Sequence, residues 1–283
     1  METIEEIKTN VLKKLDNPVE FDRSSRKYSI TSIIKELEPE FDVQTVAERT
    51  HKKHFNNPES PYYQKSVIDI LAMWDAKKFA SSGMGKQLDD YIGMILNNED
   101  TSLWELDYLY GDEQLKHKCD CAKKFITTLL AKPEFEFITR EKDIFYSIQN
   151  PSTGQSYIIS GRFDALFLYF TQVVQCLYLI DWKNTESIVF ENKYGNLLGP
   201  CKKWPNANGY LYAIQLAFYK NAFRETYGIT SLIDTNIVQF PSGDPQVIPT
   251  KDIDISKEFL DTILLYGCTK LDIKKEMKKA KTN

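Results

Sequence analysis

The stretch "LYLIDWKN", residues 177–184, climbs through an apolar run and then breaks into an acid and a lysine. Its approach, "VVQCLYLI", is rich in β-formers and predicts a buried strand. Successive strand side chains point to opposite faces. Asp181 and Lys183 therefore share one face where the strand emerges, and Trp182 points away from them into the core. A carboxylate and an ammonium placed side by side there form either a salt bridge or part of a metal site. An acid two residues before a lysine also occurs at Glu6, Asp75, Glu191, Asp272 and Glu276. Those pairs lie in helical or polar segments; only Asp181 closes a run of β-formers.

Working outward, "EFEFITREKDIFYSI" predicts a first strand containing Glu141, and "NPSTGQ" a turn. "SYIISGRFDALFLYF" predicts a second strand containing Asp164, and the run ending at Lys183 a third. The short joins imply an antiparallel meander. Beyond the loop "GPCKKWPNANG", "YLYAIQLAFYKNAFRETYG" predicts an amphipathic helix with Leu211, Ile214, Phe218 and Ala222 on one side and Gly228 as its stop. "LIDTNIVQF" predicts a fourth strand, and the last 30 residues a helix with a lysine-rich end. Upstream the pattern is helical. A short helix lies in "YSITSIIKELEPEFD", and Val67, Ile70, Leu71 and Trp74 form a stripe in the next. After "SSGMG" another helix carries Leu88, Tyr91, Ile92, Ile95 and Leu96, and one near 113–131 carries Leu115, Cys119, Ala122, Ile126 and Leu129. The expected class is α/β: a mixed-sheet core of order α-βββ-α-β with N-terminal helical additions. Residues 1–132 form the helical region, 133–245 the core, and 246–283 the C-terminal helix and lysine-rich tail.

The 283 residues, 42% hydrophobic, suffice for one large core domain with a helical elaboration. The net charge of −4 excludes a polycation, so a nucleic-acid partner requires a local basic surface. No apolar run approaches the ~20 residues that span a bilayer, and "METIEEIKTN" reads as neither a signal nor a transit peptide. Cys119, Cys121, Cys176, Cys201 and Cys268 are odd in number, scattered and without a C-x-x-C pair. This argues against a disulfide framework, a zinc ribbon or an iron–sulfur cluster, and for a reducing compartment, cytoplasm or nucleus. "HKKH", with His51 and His54, lacks further ligands at zinc-finger spacing and reads as a solvated basic turn. No G-x-S-x-G is present to signal a serine hydrolase.

Glu141, Asp164, Asp181 and Lys183 converge on one predicted sheet. Two carboxylates on neighbouring strands repel unless a cation or proton sits between them. Hard oxygen ligands of this kind suit Mg²⁺ or Mn²⁺. With a lysine to position water, they are equipment for metal-assisted phosphodiester hydrolysis. Asp164 either ligates a metal or pairs with Arg162, which shares its face.

"GRFD", "LIDWKN" and "YAIQLAFYKNAF" together resemble the PD-(D/E)xK nuclease superfamily in its RecB-like branch. The match covers roughly residues 138–240, in order and with matching element types. The pattern is similar to versions found in large DNA viruses and phages. The resemblance implies a restriction-endonuclease-like core and a metal-dependent DNA nuclease of replication, recombination or repair. It implies an exonuclease, with a structure-specific endonuclease or a catalytically reduced DNA-binding scaffold as alternatives. By resemblance, Asp164 and Asp181 hold Mg²⁺ or Mn²⁺, Glu141 assists, and the Trp182 main-chain carbonyl is a further ligand. Lys183 orients the attacking water, while Gln215 and Tyr219 face the site and help hold Lys183 or DNA. In "SVIDILAMWDAKKFASSGMGKQLDDYI" the branch's usual histidine aligns with Gln87, which offers a carbonyl oxygen in place of an imidazole. Arg162 is a candidate phosphate contact. In "GPCKKWP", Lys202 and Lys203 are candidates for the sugar-phosphate backbone and Trp204 for stacking on a base; a solvated loop with a packing tryptophan is the alternative.

Overall fold

Two segments that the sequence runs together as single strands are each broken in the fold, and both breaks fall at the same place. In the computed structural model, which describes residues 3–17, 19–22, 24–193, 195–250, 253 and 255–282, "EFEFITREKDIFYSI" forms β2 (Phe135–Arg140) and β3 (Asp143–Gln149). "SYIISGRFDALFLYF" forms β4 (Ser156–Arg162) and β5 (Ala165–Phe170). Together they make one long antiparallel hairpin bent at its middle. Arg140 pairs with Ala165 below the bend, and Asp143 with Arg162 above it. Glu141 thus lies outside both strands, correcting its expected place in a strand. It adopts a left-handed φ of 49° and its N–H donates to the Asp164 carbonyl at 3.3 Å. The bend passes the hairpin from one sheet to another, which no alternation of side chains announces.

The lower half joins a five-stranded sheet of order β2-β5-β6-β7-β8, with β6 (Gln175–Lys183), β7 (Leu232–Gln239) and β8 (Gln246–Pro249). β6 and β7 run parallel, and the other neighbours antiparallel. The upper half joins a three-stranded sheet, β1-β4-β3, in which β1 (Arg26–Ser29) lies parallel to β4. The long crossover from β6 to β7 carries α7 (Asn208–Glu225), as a parallel pair requires. Helix, three strands, helix, strand is the order of a restriction-endonuclease-like core, and the surrounding helices are additions to it. The helices are α1 (Ile4–Asp16), α2 (Ile30–Lys35), α3 (Val43–His54), α4 (Val67–Leu96), α5 (Ser102–Tyr108), α6 (Glu113–Leu130) and, at the end, α8 (Lys257–Thr282).

Alternation divides the core between the two faces of the larger sheet. Leu177 and Leu179 of β6, with Leu166 and Leu168 of β5, pack toward α7 and α8. Ile180 and Trp182, with Ala165 and Phe167, pack toward α4 and α6. The expected break at "SSGMG" is absent: α4 is one helix of 30 residues. Interior glycines cost a helix only ~1 kcal/mol each relative to alanine. Here a Ser66/Asp69 capping box at the start and buried Leu88, Tyr91, Ile92 and Leu96 at the end outweigh that cost. Among the described residues no helix is long and apolar enough to cross a membrane.

Gly161 in "GRFD" has a packing reason. A Cβ there would lie 2.7 Å from Tyr219 Cε1 and 2.8 Å from Phe218 Cε1, both on α7, and 3.0 Å from Ile30 Cγ2. Gly161 lets the helix approach the bend closely. Gly161→Ala is expected to cost about 1–3 kcal/mol in urea unfolding, the usual cost of overpacking, with Gly161→Val worse. Unchanged stability would mean that α7 withdraws freely from the strand.

Candidate active site

Below the bend, the register brings two acids face to face. Ala165 pairs with Ile180 in the antiparallel β5–β6 ladder, so the next opposed pair is Asp164 and Asp181. Directly opposed side chains stand about 4.5–5.5 Å apart at Cβ, and like charges there destabilise the sheet. Asp164 and Asp181 continue the apolar rows Leu166–Leu168 and Leu177–Leu179, so both point toward α7. Asp181 is 1% exposed. Neither of its oxygens accepts a well-formed hydrogen bond; Oδ2 has the Lys183 ammonium at 2.5 Å. Asp164 Oδ2 accepts the Trp182 main-chain N–H at 2.7 Å.

The electrostatics follow from this crowding. Burial first, and the Asp181 charge second, push the Asp164 carboxyl up to about 8. Burial pulls the Lys183 ammonium down, but Asp181 and Asp164 outweigh it, and its pKa rises to about 12. Lys183 also lies 4.8 Å from the centre of the Tyr212 ring on α7, a cation–π contact that adds to its fixation.

A third acid, unforeseen in the sequence, approaches from α4. Burial raises the Asp89 carboxyl to about 6; Arg140 opposes that rise and Glu141 adds to it. Arg140 Nη2 binds Asp89 Oδ2 at 3.2 Å and Glu141 Oε2 at 3.3 Å. Gly93 admits the guanidinium: a Cβ on Gly93 would fall 1.1 Å from Arg140 Nη1. Asp89 lies close enough to Asp164 for its charge to raise the Asp164 pKa further. Its signal was present in "GKQLDDY", where Asp89 stands one turn beyond Gly85. Gln87 is half-buried on the same helix. Two positions apart on a helix, Gln87 and Asp89 do not face the same way.

The other expected residues divide into two groups. Gln215 Nε2 donates to Tyr219 Oη at 2.7 Å, and Tyr219 Oη donates to the Arg162 carbonyl at 2.7 Å. These two therefore buttress the bend beside Asp164. The Arg162 side chain turns outward, not to Asp164: it grips Asp143 with Nε at 2.8 Å and Nη2 at 3.1 Å. Lys202 and Lys203 are exposed beside the 3-10 turn Gly199–Cys201. Trp204 stacks on Tyr210, centroids 5.0 Å apart and planes at 13°, with Phe259 against its edge. The Trp204 ring is thus a packing group.

The donor set fits a divalent cation of the Mg²⁺ class. Asp181 offers two buried oxygens, of which Oδ2 also meets the Lys183 ammonium, Asp164 offers Oδ1, and all are hard ligands. Among the described residues no three His, Cys, Asp or Glu side chains gather into a cage. Mg²⁺ is commonly held by one or two carboxylates with water and substrate phosphate completing its shell.

No family model matches the chain, and no curated relative matches it. Solved structures are similar to the chain at low identity, among them the following two. A protein called SSO0001 is 11% identical, with 95% of this chain and 86% of that chain covered and a TM-score of 0.35. A "Putative exonuclease" from Eubacterium rectale is 10% identical, with 94% of this chain and 82% of that chain covered and a TM-score of 0.38. Neither likeness is close enough to define the chemistry here, which rests on the geometry above.

The opposed acids imply a measurable cost. Asp164 has its folded pKa raised from near 4 to about 8. The folded state therefore suffers no penalty below the unfolded value and a growing one as pH rises through the folded value. Asp164→Asn keeps an acceptor for the Trp182 N–H and removes the charge. In chelator, its melting temperature is expected to exceed that of the wild type at pH 8.5, with the gap closing toward pH 4. A constant gap across that range would show that folding does not raise the Asp164 carboxyl.

Proposed function

We propose that the chain is a divalent-metal-dependent deoxyribonuclease of the PD-(D/E)xK type, working from a DNA end. The observation that carries this reading is the buried Asp181 carboxylate opposite Asp164, whose one close partner is the Lys183 ammonium on the same face. Opposed acids on neighbouring strands weaken a fold, and a phosphodiester hydrolase has a use for them. Asp164, Asp181 and the Trp182 carbonyl would hold Mg²⁺ or Mn²⁺, with no part for Gln87, which faces away from Asp89 on α4. The chemistry such a cation would supply there is Lewis acidity toward a phosphoryl oxygen and toward water.

The chain's own groups do the rest. Asp164 is fixed by the Trp182 N–H, so one of its oxygens is oriented before any ligand arrives. Lys183 is a permanent ammonium in a water-poor setting. It orients the attacking water and faces the negative charge that develops on the phosphate, where such contacts are worth most. Tyr219 and Gln215 hold the Arg162 carbonyl and hence the bend that carries Asp164. Glu141 and Asp89, bridged by Arg140, add negative charge around the carboxylate pair. Lys202 and Lys203, with Arg162 where it turns from Asp143, supply backbone contacts that do not read sequence.

Asp181→Asn and Lys183→Ala are each expected to lower nuclease rate by ~10²–10³, the usual loss on removing a transition-state stabiliser. Their circular dichroism should remain that of the wild type. EDTA should abolish cleavage, and Mg²⁺ or Mn²⁺ restore it. Linear end-labelled DNA should release short products, with relaxed closed circles spared. Rapid linearisation of closed circles would convert the reading to an endonuclease. Full activity in either variant would remove the proposed site.

A further inference from the structure

α7 has a second polar flank besides the one at the candidate active site. Tyr212 meets Lys183, and Gln215 and Tyr219 hold the bend. Ala213, Ala217, Lys220 and Arg224 are spaced by four, three and four residues, so they share a face of the same helix. Ala213 stands two positions from Gln215, and Ala217 two from Tyr219; residues two apart on a helix do not face the same way. This second flank borders a cavity of about 280 Å³.

The rest of the cavity wall comes from β7 and from the segment that leads into α8. Thr235 lies between Ile233 and Ile237 on β7, both of which pack toward α7. The chain after β8 folds back onto it. The Thr250 N–H donates to the Thr235 carbonyl at 3.0 Å, and the two hydroxyls lie 2.7 Å apart. α8 then starts at Lys257. The neutral polar groups are buried, with Thr235 7% exposed, Thr250 5% and Asn221 8%. Asn221 spends one amide N–H on the Ala217 carbonyl at 2.8 Å, and its amide carries a second. The charged groups are Lys220, Arg224 and Lys257, against a single acid, Glu225, among the described lining residues. Lys257 also donates to Asp261 at 2.9 Å. In a chain of net charge −4 this is a local excess of positive charge. Ile253 and Ile255 give the cavity an apolar side.

We propose that the cavity between α7, β7 and the start of α8 binds a phosphate monoester whose organic group is small, of about pentose size. The proposal is independent of the nuclease reading, because it uses the flank of α7 turned away from Gln215 and Tyr219. A phosphate monoester brings roughly −1.5 to −2 charges near neutrality and three strong acceptor oxygens. That charge balances three cations set against one acid, whereas a carboxylate would leave positive charge over. The Arg224 guanidinium suits two phosphate oxygens at once, and the lysines act as point charges. Hydroxyl and amide groups at the buried side orient the ligand without adding charge. The volume falls just under the ~300–1,000 Å³ of drug-sized ligand sites, so the occupant is small. Ala213, Ala217, Ile253 and Ile255 suit a carbon skeleton beside the phosphate, which a bare ion lacks.

The test is isothermal titration calorimetry on the full chain, at low salt and in EDTA, so that no metal at the carboxylate pair can take the ligand. The probes are ribose 5-phosphate, inorganic phosphate and ribose. Ribose 5-phosphate is expected to bind once per chain, inorganic phosphate more weakly and ribose not at all. Arg224→Glu, at an exposed position, is expected to weaken ribose 5-phosphate binding by about tenfold or more, as the loss of a charge-assisted hydrogen bond does. Lys116→Glu makes the same change of charge at an exposed position of α6 and is expected to stay within about twofold, since salt screens distant charges. Ribose 5-phosphate should also raise the melting temperature of the wild type and of Lys116→Glu, but not that of Arg224→Glu. Equal affinity for inorganic phosphate overturns the ester in favour of free phosphate. Absence of binding by ribose 5-phosphate, or equal affinity in the wild type and Arg224→Glu, overturns the site.

Discussion

The opposition of Asp164 and Asp181 just beyond the last β5–β6 pair, Ala165–Ile180, is the constraint around which the surrounding structure is arranged. A sheet that places like charges at directly paired positions loses stability unless something nearby carries the opposite charge. The chain meets this locally. Lys183 takes one oxygen of Asp181, the Trp182 N–H takes one of Asp164, and α7 closes over both with Tyr212 under the ammonium. Each compensation comes from β6 itself or from the helix that crosses back after it. The pair and its counter-charges are therefore one unit, set by the register of a single strand pair.

The bend of the hairpin makes that register possible. Were β4 and β5 one straight strand, Asp164 would be an ordinary ladder residue with its backbone fully paired. Because the hairpin switches sheets between Arg162 and Ala165, the backbone at Asp164 leaves the ladder and its carbonyl is taken by the Glu141 N–H. Tyr219 then fastens the Arg162 carbonyl from α7. Gly161 permits this by leaving space for the Tyr219 and Phe218 rings. "GRFD" is thus explained residue by residue: Gly161 for the approach of α7, Arg162 for a carbonyl held inward and a guanidinium turned out, Phe163 buried in the core, and Asp164 at the corner.

Legibility in the sequence followed the range of the interactions. Asp181, Trp182 and Lys183 were assigned to their faces by strand alternation, a property of neighbouring residues, and Asp164 was placed opposite by the short joins of the meander. The class of fold and the order of its core elements were legible for the same reason. The bend was not, because β-formers continue through both breaks. The continuity of α4 was hidden by "SSGMG", since turn-forming residues survive inside a helix when both of its ends are anchored by distant parts of the chain. Asp89 went unnoticed because its relevance depends on Arg140, 51 residues away, and on the space left by Gly93. β1 is four residues long and pairs with a strand more than a hundred positions downstream, leaving no local pattern to read.

The helical region and the sheet are consequently less separable than a division at residue 132 implies. Arg140, the last residue of β2, reaches into α4 and binds Asp89, while the Asn184 amide after β6 binds the Ser81 carbonyl of the same helix. Buried Lys118 of α6 donates to the Phe240 carbonyl at 2.6 Å and to Glu186 at 3.0 Å, and Glu186 in turn accepts from the Ser242 N–H at 2.8 Å. These donors hold the Glu186 carboxyl down to about 2, the Ser242 N–H first among them. The segments that leave β6 and β7 are therefore tied to the helices at charged, directional contacts, not by apolar packing alone. Apolar surfaces slide with little penalty, whereas a buried ammonium that loses its acceptors is costly to leave unpaired. The loop after Lys183 is thereby held in register with α4, and the carboxylate pair keeps its position relative to the helix that spans in front of it.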